Sequence, residues 1–483
     1  FPYEQAAAFP AAAGSALTFL IPYWNGDPAT DTFRGSGLFW EQYGYVGLLP
    51  FLLAIAAVVV RRRDPVVRFL AGGAVVAHLL ALGGNTPVFA IAFHAIPGMS
   101  HFRFPTRFLV FVELALALLA GLGLDLVAER LRARNLAGAA VAFVLGITAA
   151  DLWAHQMRQV PQADWSAWTA PTGTERFLEQ RRAEASEPWR YHSLDAQWVH
   201  AQTFHAAHGW AGDLAPYVWL RALLQPSFNL LGELESADGY ANLVPRHYES
   251  VWGSEKEPGL VIPSGRSEGG EWRLRPEVLK CLRLFNVRYV LAPWPVSSPG
   301  IAPATRSAEG IHVHEVLDPL PRAFVVGGTR RAADAGEALR LLVAPDFDPA
   351  AEAIVTDDVA LPPGSGASRS VSFARPSTTS VELRAVLDRP GLLVVSEGTH
   401  PGWRATVDGI AAPILRVNVM MRGVVLTAGA HRVTFEFRPR SVEIGALASL
   451  AGLTLLAAVL VVPRLRRHAE PVQSMLATTT RSA

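Results

Sequence analysis

The sequence is nearly without two residue types, cysteine and lysine. Cys281 is the only cysteine in 483 residues, which excludes an internal disulfide and a zinc site built from cysteines. Among 43 basic residues only Lys256 and Lys280 are lysine, and arginine supplies the rest. The net charge is +1, which argues against a general nucleic-acid-binding surface. The chain also lacks a Walker loop, an HExxH motif and a nucleophile-elbow serine. No residue is assigned to a metal site, and the cofactors stay unknown.

Long apolar runs are what the sequence has instead. Half of the residues are hydrophobic, and they cluster in runs near or above the minimum length for crossing a bilayer. A shorter run, Val88–Ile96 between Pro87 and Pro97, predicts a re-entrant or interfacial helix. The sequence therefore predicts a polytopic α-helical membrane protein with about five spans. These are Tyr45–Val60, Val66–Leu82, Pro105–Leu126 and Leu136–Trp153, which form a bundle over residues 45–153, and a last span at 442–462.

Three arginine clusters give these spans an orientation. Residues 61–63, 130–134 and 464–467 each carry three arginines, and all three clusters fall on one side if the five spans alternate. Since basic residues concentrate in cytoplasmic loops, that side is predicted to be cytoplasmic, together with the tail 463–483. Residues 1–44, the loop 83–104 and the long segment 154–441 are then outside. The expected location is the bacterial cytoplasmic (inner) membrane, with a large extracytoplasmic part.

The outer segment is too long for one small domain and is broken at residues 293–304 and 362–368, which are rich in proline and glycine. The part 154–300 is predicted to be mixed α/β. It has a capping box at Thr172 and Glu175, a helix over Pro276–Phe285 and a strand at "VRYVLA". The part 320–440 is read as all strand. Alternation in "HRVTFEFR" and a turn at Asp408-Gly409 favour a β-sandwich.

The stretch "SHFRFPTRFLVF" contains the most unusual charges. Arg103 and Arg107 flank Pro105, the expected first residue of a span, on the side predicted to be outside. Arginine is disfavoured there by the positive-inside bias and by the partial positive charge of a helix N-terminus. Guanidinium forks beside free backbone N–H groups suit a phosphate, so one interpretation is a site for a phosphorylated ligand. The alternative is that both arginines contact lipid headgroups or pair with nearby acids.

Other polar residues are also candidates for a functional site. Glu41, Asp27 and Asp31 are possible acceptors of a substrate hydroxyl, although ordinary solvated loop acids would look the same. Glu113 lies two turns into a span, where an ionisable group usually faces a cavity or a partner. His200, His205 and His208 cluster, and two of them have the i, i+3 spacing that could share a metal on a helix. No carboxylate motif accompanies them, and a metal site is not favoured.

Several stretches resemble the bacterial YfhO-type membrane proteins. They are "FWEQYGYVGLLPFLLA", "IPGMSHFRFPTRFL" with "LALALLAGLGLD", "DGYANLVPRHY", "LFNVRYVLA", "LPRAFVV", "HPGWRATVDG" and "RGVVLTAGAHRVTFEFRP", in that order along most of the chain. Such proteins are similar to integral-membrane glycosyltransferases of the GT-C type, which take a sugar from a polyprenyl-phosphate carrier on the outer face. The resemblance places their catalytic acid in a first outer loop. That loop is expected to precede Phe1 in a longer protein, so the catalytic residue stays unassigned.

The resemblance implies a glycosyltransferase that moves a sugar from a polyprenyl-phosphate donor to a cell-envelope acceptor, such as a polysaccharide or a teichoic-acid-like polymer. Its substrate-binding residues are expected to be Arg103, Arg107, Glu41 and Glu113, and its partners the lipid bilayer and the lipid-linked donor, with no nucleic acid. The alternative function is a non-catalytic, membrane-anchored carbohydrate-binding or envelope-assembly protein.

Overall fold

The computed structural model describes residues 1–35, 39–210, 212–225, 227–237, 239, 245–253, 259–268, 271–359, 361, 365–368 and 370–479. Most of "DGYANLVPRHY" and the prolines of the break at 362–368 lie outside these residues. The chain divides into two compact units, Phe1–Ala170 with Trp198–Leu220, and Pro171–Gln197 with Arg221–Ala483. Part of the segment predicted as one mixed domain, 154–300, therefore belongs with the helices of the first unit.

The first unit is helical. Its helices up to residue 170 are α1 (Tyr3–Ala6), α2 (Phe39–Gln42), α3 (Leu48–Val60), α4 (Pro65–Ala81), α5 (Pro87–Ala95), α6 (Leu109–Arg132), α7 (Ala137–Gln156) and α8 (Trp165–Thr169). The first 44 residues, predicted as an outer loop, are more than a loop. They contain short helical turns, and their Phe19 and Ala11 share an apolar core with α4 and α6.

Helices α3 and α6 lie in close contact. A Cβ atom on Gly123 of α6 would lie 2.1 Å from the carbonyl oxygen of Leu53 in α3, so only glycine permits this approach. Near the other end of α3, Arg61 pairs with Glu129 of α6 at 3.4 Å. Since residue numbers rise together along both helices, α3 and α6 run parallel.

Three helices are long and apolar enough to cross a membrane among the described residues: Pro105–Arg132, Ala137–Gln159 and Arg440–Val459. The expected count of about five spans is therefore not confirmed. The predicted spans at 45–60 and 66–82 are the helices α3 and α4, of 13 and 17 residues. At 1.5 Å per residue α3 is about 20 Å long, short of a hydrocarbon core of about 30 Å. The short helix expected near 88–96 is α5.

The second unit begins with a mixed α/β part. Two of the helices given next in chain order, at 196–206 and 215–222, lie mostly in the first unit. The elements are α9 (Gly173–Glu184), β1 (Arg190–Ser193), α10 (Ala196–Ala206), α11 (Ala215–Ala222), α12 (Arg246–Trp252), β2 (Gly265–Glu268), β3 (Glu271–Leu274), α13 (Pro276–Leu284), β4 (Val287–Ala292), β5 (Ile301–Arg306) and β6 (His312–Val316). Strands β1, β4, β6 and β5 form one sheet in that order, with β1 parallel to β4. The capping box, the helix α13 and the strand β4 confirm the local predictions.

The rest of the second unit is mainly strand. Its elements are β7 (Ala323–Val326), β8 (Gly328–Arg331), α14 (Ala335–Val343), β9 (Glu352–Val355), β10 (Val371–Ser377), β11 (Ser380–Leu387), β12 (Gly391–Gly398), β13 (Trp403–Val407), β14 (Ile410–Ala412), β15 (Leu415–Val417), β16 (Met421–Leu426), β17 (Gly429–Phe437) and α15 (Arg440–Thr479). The all-strand interpretation of 320–440 missed α14, which Asp334 caps by accepting from the backbone N–H of Glu337 at 2.7 Å.

Two sheets of this part pack face to face. One has the order β10-β11-β17-β13-β14 and the other β7-β12-β16-β15-β9-β8. Inward side chains of both sheets, such as Leu383 and Phe435 from the first and Leu393 and Val424 from the second, share one buried cluster. The second sheet is covered on its other face too, where Leu392 and Val394 join the core around α13 and α14. The expected sandwich is present, with a third layer on one side.

Helix α15 continues from the sandwich as one helix into the segment predicted as a cytoplasmic tail, as far as Thr479. All its described side chains, from Arg440 to Val459, are exposed, although most are apolar. An apolar helix exposed all round is typical of a membrane span.

Candidate functional site

The start of α6 is shaped by the dipeptide Phe104-Pro105. Pro105 opens a 3-10 turn, Pro105–Phe108, that leads into α6, as expected for a residue without a backbone N–H. Phe104 adopts a left-handed conformation with φ 66°, which is unusual for a bulky residue. Its ring is buried and packs against Phe9, with centroids 5.2 Å apart. This local structure therefore fixes the positions of Arg103 and Arg107, which flank the Phe104-Pro105 dipeptide.

Both candidate arginines lie against the ring of Phe104. The guanidinium carbon of Arg103 is 4.6 Å from the ring centroid, and that of Arg107 is 4.9 Å from it. Cations are attracted to an aromatic ring, and this attraction offsets part of the repulsion between the two charges. The structure thus brings Arg103 and Arg107 together. The separation of their guanidinium carbons cannot exceed the sum of these two distances.

Glu41 is also part of this site. Its Oε1 accepts hydrogen bonds from Arg107 Nε at 3.0 Å and Nη2 at 2.9 Å, and its Oε2 accepts from the Thr106 hydroxyl at 3.4 Å. The Glu41 side chain is 14% exposed and that of Arg107 is 60% exposed. Arg107 therefore does pair with a nearby acid, one of the two alternatives predicted for it. Its remaining N–H groups, including both of those on Nη1, still face away from Glu41.

Arg103 has no such partner. It is half-buried, lies 5.8 Å from the Phe1 ring as well as near Phe104, and no carboxylate of the described residues is within ion-pair distance of it. With Arg107 balanced by Glu41, the site keeps one uncompensated positive charge, on Arg103. A group with five N–H donors and no anion beside it can accept a phosphate or carboxylate oxygen.

An exposed apolar stripe begins within one helical turn of Arg107. Val110, Phe111, Leu114 and Leu118 of α6 are each about half exposed or more, and their spacing places them along one side of the helix. The site therefore combines positively charged side chains with an exposed apolar helix surface. A lipid phosphate has the complementary parts, an anionic headgroup and an apolar chain.

Glu113, the fourth predicted residue, is not part of this cluster. It is half-buried on α6, and among the described residues no hydrogen bond or ion pair joins it to Arg103, Arg107 or Glu41. Six residues of helix separate it from Arg107, or about 9 Å along the axis.

The loop acids of the first unit have structural partners. Asp27 caps the turn Pro28–Thr30, accepts from the Gln159 side chain at 2.6 Å and pairs with Arg158 at 3.1 Å. Asp31 pairs with His205 at 3.0 Å. Among the described residues no group of three His, Cys, Asp or Glu side chains could hold a metal ion.

Asp151 is a polar residue that the sequence analysis did not single out. It lies in α7, and its Oδ2 accepts from the Tyr45 hydroxyl at 2.7 Å and from the backbone N–H of Leu48 at 3.2 Å. Leu48 is the first residue of α3, and the preceding Gly47 has no side chain to cap that helix. Asp151 therefore caps α3 from a neighbouring helix. An acid inside an apolar predicted span was the signal that could have revealed it.

No family model and no curated protein matches the chain. Two solved structures of the arabinofuranosyltransferase AftD from Mycobacteria, one of them a mutant form, align with it at 13% and 11% sequence identity. Both have a TM-score of 0.28 and cover 88% of this chain. The chain in turn spans 41% and 42% of those proteins. A TM-score this low does not establish a common fold.

Proposed function

We propose that the chain is part of a membrane glycosyltransferase that takes a sugar from a polyprenyl-phosphate donor and transfers it to a cell-envelope acceptor on the outer face. The observation that carries this proposal is the start of α6. There Arg103 has no ion-pair partner among the described residues, and the exposed stripe Val110, Phe111, Leu114 and Leu118 begins close to it. A polyprenyl phosphate has the matching shape, an anionic head on a long apolar chain. The resemblance to YfhO-type proteins supports the same substrate class.

In the proposed reaction, an acceptor hydroxyl oxygen forms a bond to C1 of the sugar while the bond from C1 to the phosphate oxygen breaks. The hydroxyl proton passes to a base, and the polyprenyl phosphate leaves with an added negative charge. Arg103 and Arg107 donate to the phosphate oxygens and stabilise that charge as it develops. Glu41 is bonded to Arg107, so its proposed role is to position this arginine rather than to accept the proton.

The experiment is donor-dependent sugar transfer by the purified full-length protein, compared with its Arg103→Ala variant across a panel of polyprenyl-phosphate sugars. Loss of a hydrogen bond to a charged group costs about 1.5–3 kcal/mol, so kcat/KM is expected to fall about 10- to 150-fold. Arg68→Ala is the matched control, because Arg68 is exposed on α4 and has no ion pair among the described residues. It should transfer like the wild type.

Two outcomes count against the proposal. If Arg103→Ala and Arg68→Ala transfer sugar equally well, Arg103 is not part of the donor site. Donor binding without turnover of any sugar in the panel would support the alternative, a non-catalytic carbohydrate-binding or assembly protein.

A further inference from the structure

Four arginines converge on one buried glutamate in the second unit. Glu397 is 7% exposed and forms hydrogen-bonded ion pairs with Arg375 and Arg422. Arg190 and Arg322 each have a terminal nitrogen 3.8 Å from its Oε1. A single carboxylate thus faces four guanidinium groups, which we call the Glu397 cluster.

The pairing of β12 with its neighbours explains this convergence. Val395 lies opposite Ala323 of β7 on one side and opposite Arg422 of β16 on the other. After Val395 the register with β16 shifts, and the irregularity contains Ser396 and Glu397. Such a bulge redirects a side chain. Arg322 and Arg375 lie against the ring of Phe373 and Arg422 against that of Trp403, and both rings pack against the sandwich core.

The arginines are held by groups other than Glu397. Arg190 donates to the carbonyl oxygen of Ser396 at 2.6 Å, and the guanidinium of Arg422 lies 3.8 Å from the centre of the Trp403 ring. Arg322 donates from Nη2 to Oε2 of Glu235 at 2.5 Å. These contacts fix the guanidinium groups in place, so their spacing does not depend on Glu397 alone.

The cluster is short of negative charge. Arg190, Arg322 and Arg422 are 11%, 1% and 1% exposed, and Glu397 is the only carboxylate among these buried groups of the described chain. The more exposed Arg375 and Glu235 add one charge of each sign and do not change this balance. The buried part therefore carries two positive charges in excess, and burial is the first cause that lowers the pKa of Arg190 to about 9 and that of Arg422 to about 10.

Several donors in the cluster also lack acceptors. Nε and Nη1 of both Arg322 and Arg422 are buried and make no hydrogen bond among the described residues. Each unsatisfied donor of a charged group costs free energy, and uncompensated buried charges cost several kcal/mol. If the cluster only closed one end of the sandwich, apolar side chains would do so at lower cost.

We propose that the Glu397 cluster is a binding site for an oxyanion of the phosphate class, such as the phosphate monoester of a glycan or of a lipid headgroup. The site shares no residue with the start of α6, and it does not depend on the proposed transferase activity. A phosphate monoester carries about −1.5 to −2 at neutral pH, which matches the excess of two positive charges. A carboxylate ligand supplies only one negative charge, so one of the two excess positive charges would stay unbalanced.

Glu235 marks the entrance of the site. Its side chain is 47% exposed, whereas that of its partner Arg322 is 1% exposed. Its backbone is fixed, because the N–H of Tyr191 donates to its carbonyl oxygen at 3.0 Å. Its carboxylate therefore occupies, on Arg322, the position that an incoming phosphate oxygen would take. Binding displaces this carboxylate into solvent.

The test is calorimetric titration of the purified full-length protein with inorganic phosphate at constant ionic strength. The Glu397 cluster is expected to contribute one saturable site per chain. Arg375→Gln, a change at the exposed rim, should weaken binding about 10-fold or more. Arg404→Gln is the matched control, since Arg404 is exposed on β13 and is not an ion-pair partner of Glu397. Glu235→Ala removes the competing carboxylate and should tighten binding.

The same titrations in an Arg103→Ala/Arg107→Ala background exclude a phosphate bound at the start of α6, and the site should persist there. Stronger binding of a sugar 1-phosphate than of inorganic phosphate would identify a glycan source. Stronger binding of micellar phosphatidate would identify a lipid source, and either result supports the site.

Three outcomes overturn the proposal. The first is the absence of saturable phosphate binding. The second is equal phosphate affinity of the wild type and of the Arg375→Gln and Glu235→Ala variants. The third is competition by acetate that is as strong as competition by phosphate. Glu235→Ala keeps the test informative if a cluster variant folds poorly, because it alters a half-exposed side chain and predicts a gain of affinity.

Discussion

Arg107 directs two N–H groups, at 3.0 and 2.9 Å, to the same oxygen of Glu41, a residue of another helix 66 positions earlier in the chain. This leaves the other Glu41 oxygen to Thr106. The predicted site is thus divided into a neutral pair and a cation, Arg103, that has no ion-pair partner in the described part of the chain. The division means that the two arginines should respond differently to substitution.

Glu41→Gln should release Arg107 for the donor phosphate. The pair is largely exposed on the arginine side, so the free energy of unfolding should change by less than about 1 kcal/mol. Steady-state kinetics should show a lower KM for the donor and a kcat within a few-fold of the wild type. A fall in kcat of about 100-fold or more at unchanged KM would instead make Glu41 a catalytic base.

Asp151→Ala should destabilise the first unit, because it removes the cap of α3 and the acceptor of the Tyr45 hydroxyl. Loss of these hydrogen bonds to a charged group is expected to cost about 1.5–3 kcal/mol. Thermal unfolding of the purified protein measures this. Asp125→Ala is the control, because Asp125 is exposed on α6 and makes no hydrogen bond among the described residues. Equal melting temperatures of the two variants would contradict the capping role.

The buried pair of Glu175 and Arg221 in the second unit should show strong coupling. Their side chains are 2% and 1% exposed and lie 2.9 Å apart. Glu175→Gln leaves a buried guanidinium without its counterion, at an expected cost of about 3–5 kcal/mol. Adding Arg221→Met should recover part of that loss in a double-mutant cycle. Additive effects of the two changes would show that the pair does not interact.

His314 makes the stability of the second unit depend on pH. Burial lowers its pKa to about 4, while the unfolded chain keeps a value near 6.5. Between these values the unfolded state binds a proton that the folded state does not, so the free energy of unfolding should fall as pH decreases from about 6.5 to about 4. The whole effect is about 3 kcal/mol.

A variant isolates this contribution. His314→Gln keeps an acceptor for the Val296 N–H, which now bonds to Nε2 at 3.2 Å, and does not titrate. Its stability curve from denaturant unfolding should be flatter than that of the wild type in this pH range. Parallel curves would assign the pH dependence to other groups.

The predicted orientation can be tested by thiol labelling. The native Cys281 is buried, and burial raises its pKa to about 12, so it should not react. Cysteines introduced at the exposed residues Ser186 and Arg132 should then report on opposite sides of the membrane. An impermeant reagent should label the first and not the second in cells with an accessible outer surface. The reverse pattern would contradict the orientation.

The sequence predicted those elements whose signals are local. The capping box of Thr172 and Glu175 is present, and at the predicted turn Asp408 and Gly409 both have positive φ values, 52° and 83°. The helix α14 was missed although Asp334 and Glu337 have capping spacing, because the alternating strands on both sides dominated the interpretation.

The remaining features depend on distant contacts. Arg190 and Arg422 approach the same glutamate only because β1, β12 and β16 are brought together by the fold, and no spacing in the sequence signals this. Pairing of the two arginines with nearby acids was predicted as one alternative, but identifying Glu41 as the partner of Arg107 required the position of α2. The predicted span at 66–82 matches α4 to within one residue at each end, whereas α3 begins at Leu48 rather than at Tyr45.

The most direct test of the donor site is the double variant Arg103→Lys/Arg107→Lys in full-length protein. Lysine keeps the charge and also reaches lipid headgroups, but it loses the guanidinium fork and its stacking on Phe104. If the two residues hold the donor phosphate, sugar transfer from a polyprenyl-phosphate donor should fall about 10-fold or more while the melting temperature stays unchanged. Wild-type transfer by the double variant would show that the arginines only anchor α6 at the membrane surface, and it would contradict the proposed site.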